Sequence, residues 1–369
     1  MNPARRWRIS CSLALFAAVW LAPVAVAQVC QTASDMDASV RAVLEGTAKR
    51  YFDMAARADM AALQQNSIPA LSASFAGIET AVKDNQEAFT GAEVGARPPF
   101  LLVAEGSEPL AQAEFLCGVF GKSGQTSLST VFELSNLPPA KYGVVILDVS
   151  GTPASGTGGA TQDARTVTMI LQQVGSEWKL GGFYVRLSEA GGHDAPWFAE
   201  RAREFKTKGQ VLNAWLYFRQ ATILATPVDF MSTLVTDRLY DETHAVQPGE
   251  LPSADHPLTV VGQGGATEPA ASQRPPKPGD SLNISKGAKN YPVTQIFPLA
   301  IGKDLVVVVK YSTTDVSNTA HVFQDNMAVI RGVVAKFPEL RNAFAGVVAR
   351  GVEPSGRDYG SLLMMRDVK

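Results

Sequence analysis

Cysteine is scarce in this chain, with three residues in 369, and histidine nearly so, with four. A zinc or catalytic metal site needs such residues at close spacing. His193, His244, His256 and His321 stand apart with no Cys beside them, so neither a metal nor a cofactor is expected. Charge of one sign is also lacking. The 33 Lys and Arg against 35 Asp and Glu leave a formal net charge of -2, which offers no basic surface to nucleic acid. Three catalytic motifs are missing too. Gly121-Lys122-Ser123 has Leu116 where a phosphate loop requires glycine, there is no G-x-S-x-G elbow, and the glycines at 156–159 lack the strand-to-helix setting of a dinucleotide fingerprint.

What is present begins with an export signal. Arg5, Arg6 and Arg8 precede an apolar run over residues 11–21, and Ala25-Val26-Ala27 supplies a small-residue cleavage site before Gln28. The run is too short to span about 30 Å of hydrocarbon. Residues 1–27 therefore read as a cleaved signal peptide of the general secretory type, the mature protein as periplasmic or secreted, and no integral membrane span is expected after cleavage. Export leaves Cys30 and Cys117, for which an oxidising compartment predicts one disulfide.

Residues 35–89 repeat apolar positions at three and four, as helices do: Val40, Val43 and Leu44, then Tyr51, Phe52 and Ala55, then Leu71, Phe75, Ile78 and Val82. Asp59 is placed to cap a second helix and Pro69 to start a third. Strand-like runs follow at 100–104, 113–120, 126–134 and 142–149, bounded by Gly, Pro, Asn and Ser. Residues 166–187 alternate through Val167, Met169 and Leu171, turn at Gly175-Ser176, and resume through Trp178, Leu180, Phe183 and Val185. This is an antiparallel hairpin, and the stretch before it supplies its cover. Helices first and an antiparallel sheet afterwards make an α+β domain over residues 28–190.

The helices, the strands and the closing segment Glu177-Trp178-Lys179-Leu180-Gly181-Gly182-Phe183 resemble the nuclear-transport-factor-2-like (NTF2-like) superfamily. The resemblance covers about residues 35–187, with long loops at 121–125 and 151–163 added to the pattern. It implies a sheet curled around helices into a cone whose open end holds a small ligand. It also implies an enzyme alternative, since members that isomerise or dehydrate small substrates place Asp, Tyr or His in the cavity. Tyr51 and Asp53 are the residues available for that work, but two positions apart on a helix only one can point inward.

After residue 190 the period is helical again. Ala202, Phe205, Gly209, Ala214, Phe218, Ala221 and Pro227 resemble one tetratricopeptide hairpin. A single copy cannot bury its own faces, so residues 191–246 are expected as a hairpin packed on the sheet domain, with a third helix over 229–243. Residues 247–289 are rich in Pro and Gly and read as a linker, with a short strand at Val260-Val261. Residues 290–369 read as a small ββαββ domain: strands at 293–299 and 305–311, a helix over 318–337, and a hairpin of 347–352 with 359–366.

The candidate site residues are few. His193-Asp194, after two glycines, is a possible base with its orienting carboxylate, set against an ordinary solvated loop histidine. Trp197, Trp215, Tyr217 and Phe218 cluster on the hairpin, either as core or as anchors for a partner. The leading expectation is a non-catalytic exported binding protein of unknown partner, holding a small apolar ligand in the cone or an envelope protein through the hairpin. The alternatives are proton-transfer chemistry in the cone and a structural part of an envelope assembly.

Overall fold

The fold is seen in a computed structural model that describes residues 28–118, 129–150, 163–262 and 289–369. Residues 1–27, expected as a signal peptide, and the Pro-rich run at 273–279 lie outside the described residues. The first helical stretch forms α1 (Ala38–Ala56), α2 (Met60–Gln65), α3 (Pro69–Ser72) and α4 (Ala76–Phe89). The Asp59 carboxylate accepts from the Ala62 N–H to cap α2, and Pro69 opens α3, where its missing N–H costs nothing.

These helices cover one face of an antiparallel sheet. Its strands are β1 (Gln28–Gln31), β2 (Val94–Ala96), β3 (Phe100–Ala104), β6 (Ala140–Val149), β7 (Arg165–Val174) and β8 (Glu177–Leu187), in the order β1-β3-β6-β7-β8 with β2 on β6. The hairpin of β7 and β8 pairs Arg165 with Leu187 and turns at Gly175, whose φ of 62° suits glycine. Alternation divides β6 and β7 between two cores. Val145, Leu147, Val167, Met169 and Leu171 meet the helices, while Tyr142, Val144, Ile146 and Ile170 face the other way. Helix α1 lies so close that a Cβ on Gly143 would stand 2.3 Å from Leu44 Cδ2.

The helix side is filled rather than hollow. Tyr51, Phe52, Leu63, Phe75 and Phe89 are all buried there, so the space between helices and sheet is a packed core. The opposite face is covered by a second sheet made of β4 (Leu110–Cys117), β5 (Thr130–Leu137) and a late strand, β11 (Met231–Thr233), in the order β11-β5-β4. The Cys30–Cys117 disulfide forms, and it staples β1 of the first sheet to β4 of the second.

The chain continues through the short pair β9 (Glu189–Ala190) and β10 (His193–Asp194) into the hairpin of α5 (Ala195–Thr207) and α6 (Val211–Ala225). The third helix, α7 (Leu234–His244), starts later than the expected residue 229, because Met231–Thr233 pair with β5 and Thr233 forms a capping box with Thr236. A second correction concerns where the hairpin docks. Phe198, Phe205, Tyr217 and Phe218 share one core with Val293, Val309, Ile330 and Phe344 of the C-terminal region. The reason lies in α6, which buries every residue from Leu212 to Phe218 and so must be surrounded by apolar surface.

That surface is a five-stranded sheet, β12 (Leu258–Val261), β13 (Asn290–Ile301), β14 (Asp304–Ser312), β15 (Gly346–Val352) and β16 (Asp358–Met364), paired in chain order. β14 and β15 run parallel, joined by α8 (Thr319–Lys336), and the remaining pairs are antiparallel. The ββαββ pattern is present with one addition. β12, from the stretch read as linker, is a sheet strand whose Val260 is buried in the common core.

Candidate functional site

The Asp194 carboxylate accepts from the Trp197 N–H at 3.0 Å and so caps α5. Capping directs the first turn, and the His193 ring lies flat on Trp197 with centroids 3.7 Å apart and planes at 6°. The preceding loop is pinned as well, since the Asp163 carboxylate accepts from the N–H groups of Gly191 and Gly192 at 3.2 and 2.9 Å. Gly191 has φ of 63°, and a Cβ there would come within 3.3 Å of the Lys303 carbonyl oxygen. A side chain at Gly191 would therefore push α5 away from the β13–β14 turn.

Between that turn, the helical hairpin and the segment after Pro338 lies a groove of about 640 Å³. His193, Trp197 and Tyr217 give it an aromatic wall, and charges of both signs line it, Arg201, Lys208 and Lys303 with Glu204 and Asp304. Arg201 stands 5.8 Å from the Trp197 ring centroid and donates to Glu204 at 2.5 Å. Tyr217 is a fixed part of the wall. Its hydroxyl donates to the Ala343 carbonyl at 2.6 Å, and burial pushes its pKa up to about 12. The wall is held from the far side by Glu339, whose carboxylate accepts from the N–H groups of Leu212 and Asn213 at 2.8 and 3.3 Å. The Asn213 amide in turn donates to the Glu339 carbonyl at 2.6 Å. Thus the C-terminal region caps the N-terminal end of α6.

Of the residues singled out in the sequence, the groove gathers His193, Trp197 and Tyr217. Asp194 is committed to its cap, so it does not orient His193. Trp215 belongs to a separate hollow of about 320 Å³, beside Arg219, Ile223 and Tyr240, with the Arg219 guanidinium 4.7 Å over its ring. Phe218 is wholly core. Tyr51 is buried and donates to the Trp178 carbonyl at 2.7 Å, while Asp53 is exposed, so the two diverge as their spacing requires.

Sequence reasoning missed Arg201, Lys208 and Lys303. Arg201 was within reach as the residue four beyond Trp197 on one helix, but Lys303 arrives from a strand turn about a hundred residues later. It also missed a polar cluster on α8. Asp325, 2% exposed, accepts from the Tyr291 hydroxyl at 2.6 Å and from Lys289 at 2.7 Å, with His321 Nε2 at 3.6 Å. Burial, then the hydrogen bond to Asp325, raise the Tyr291 pKa far above its ordinary value. Next to it, Tyr311 donates to Asn326 at 2.8 Å. Both oxygens of Asp325 are satisfied, so the cluster ties α8 to the sheet, with Lys289 and His321 on its solvent side.

The chain matches no known protein family, no curated protein and no solved structure. Among the described residues, no group of three or more His, Cys, Asp or Glu is placed to hold a metal ion, and no helix is long and apolar enough to cross a membrane.

Proposed function

We propose that this is an exported, non-catalytic binding protein that takes a small ligand in the groove between the helical hairpin and the C-terminal sheet. The observation that carries the reading is the convergence of stacked His193 and Trp197 with Arg201, Lys208 and Lys303 around a space of about 640 Å³, a size typical of ligand sites. Export rests on the basic and apolar leader with its small-residue cleavage site, and the disulfide is what an oxidising compartment allows. The likeness of residues 35–187 to NTF2-like proteins remains part of this reading, as helices packed on one face of an antiparallel sheet. A ligand in the helix-side core loses support, because aromatic side chains occupy that space. Acid-base chemistry by Tyr51 and Asp53 loses it too, since the Tyr51 hydroxyl is engaged by backbone and Asp53 faces solvent.

Native mass spectrometry of the protein recovered from an oxidising compartment tests the proposal. The expected spectrum carries a retained mass of roughly a few hundred daltons, the size of a ligand that fills such a site, and Trp197→Ala loses it. A bare polypeptide mass from the wild-type protein would overturn the groove as a ligand site.

A further inference from the structure

The hollow beside Trp215 shares no lining residue with the groove. Trp215, Arg219 and Ile223 recur every fourth residue along α6, and Tyr240 and His244 do the same on α7, so each helix turns one strip of side chains toward a space of about 320 Å³. Trp215, 8% exposed, is its floor, while Ile223 and Tyr240 stand at its rim, 47% and 60% exposed. The Tyr240 ring is set edge-on against His244, with centroids 4.4 Å apart.

Charge separates the two spaces. Acidic and basic side chains both line the groove, whereas no Asp or Glu lines the hollow, and Arg219 is its one Lys or Arg. The Arg219 guanidinium, over the Trp215 ring, makes no hydrogen bond or ion pair among the described residues. Burial lowers its pKa, and no carboxylate opposes the shift. On the neighbouring helix of the same hairpin, Arg203 is instead saturated by Glu242, with two hydrogen bonds at 2.8 and 2.7 Å. A guanidinium drawn out of water with its donors unanswered favours an anion. Its planar fork matches a carboxylate through two parallel hydrogen bonds.

We infer that this hollow binds a small aromatic carboxylate, with the acid on Arg219 and the ring against Ile223 and Tyr240. A volume of about 320 Å³ lies at the low end of ligand sites, which suits one ring and its acid rather than a peptide. The Ile223 side chain and the Tyr240 ring supply an apolar face that an inorganic anion would leave unused.

Isothermal titration of the full chain with phenylacetate reads this directly. Saturable binding is expected with a dissociation constant of about 1 mM, within reach of a ligand of about ten non-hydrogen atoms. Phenylacetamide keeps the ring without the charge and acetate keeps the charge without the ring, and each is expected to bind about tenfold more weakly or worse. Arg219→Gln should weaken phenylacetate by about tenfold or more. Ile223→Trp, which fills the hollow from its rim, should do the same. Both positions are at the surface, so circular dichroism should show both variants folded. Absence of saturable binding up to about 20 mM overturns the inference. Binding that Arg219→Gln leaves intact also overturns it, and would move the acid to Lys208 and Lys303 in the groove. Phenylacetamide binding as tightly as phenylacetate would overturn it as well, because the ring would then act without the charge.

Discussion

The two large sheets of this protein are built from similar strands and finished differently. β6 and β14 both carry apolar side chains on both faces, through Val144-Val145-Ile146-Leu147 and Leu305-Val306-Val307-Val308-Val309. The first sheet receives helices on one face and the β4-β5-β11 sheet on the other. The second receives helices α6 and α8 on one face, while on the other Val306, Val308 and Val348 form a small separate cluster with Phe297, and Leu299, Ile301 and Leu362 beside it stay half exposed. A strand that is apolar on both sides calls for two covers. Here one strand meets a large core on both sides and the other a large core on one side and a small cluster on the other, so apolar sequence at the strand level predicts a demand for contact but not its source.

The largest effect should come from unfastening the doubly covered sheet. Replacing Cys30 and Cys117 by serine releases a loop of 87 residues, which the loop-entropy model values at about 4.5 kcal/mol. Chemical denaturation with and without reductant should show that loss in the wild type and no further loss in the variant. Next is Phe132→Ala, between the two N-terminal sheets, where a fully buried ring is removed. About 3–5 kcal/mol is expected from equilibrium unfolding. The matching truncation on the bare face, Leu362→Ala, should cost under about 1 kcal/mol because the side chain is half exposed. Equal costs at Phe132 and Leu362 would erase the distinction between covered and bare faces.

Alkaline pH probes both halves more gently. Burial raises Tyr142, whose hydroxyl donates to the Pro138 carbonyl, and Tyr217, bonded to Ala343, to about 12. The folded state thus prefers the neutral phenol. The stability this gives is complete below the unfolded value near 10 and is lost as pH rises through 12. Thermal melts should fall over that window, and Tyr217→Phe or Tyr142→Phe should flatten the fall. A melting temperature level from pH 9 to 12 would count against both assignments.

Much of the fold was legible because its signals are local. The hairpin at Gly175 carries period-two alternation and a turn glycine in a few residues, and α1, α4 and α8 carry period 3.6 over several turns. The disulfide followed from the expectation of export, which left two cysteines to pair. What was not legible depends on distant partners. Met231-Ser232-Thr233 are too few to show alternation, and they become a strand only because β5 is there. The burial of Phe205 and Phe218 could be read from their spacing, but not that their cover would be Val309 and Phe344 rather than the first sheet. The candidate site was half visible for the same reason. Trp197 and His193 announce an aromatic wall, whereas Lys303 reaches it only through the docking of the hairpin on the last sheet.

The Glu339 cap on α6 sets an order of assembly. Residues are made from the N-terminal end, and domains tend to fold as they emerge. The first sheet and its helices have their partners once residue 187 is out, and the back sheet gains β11 after residue 233. The helical hairpin must wait. The N–H groups of Leu212 and Asn213 have no carboxylate until residue 339 appears, and Tyr217 has no acceptor until Ala343 does. More than a hundred residues of chain separate the hairpin from the surface that buries it. Until that surface arrives, the residues Leu212 to Phe218 that α6 buries have no cover.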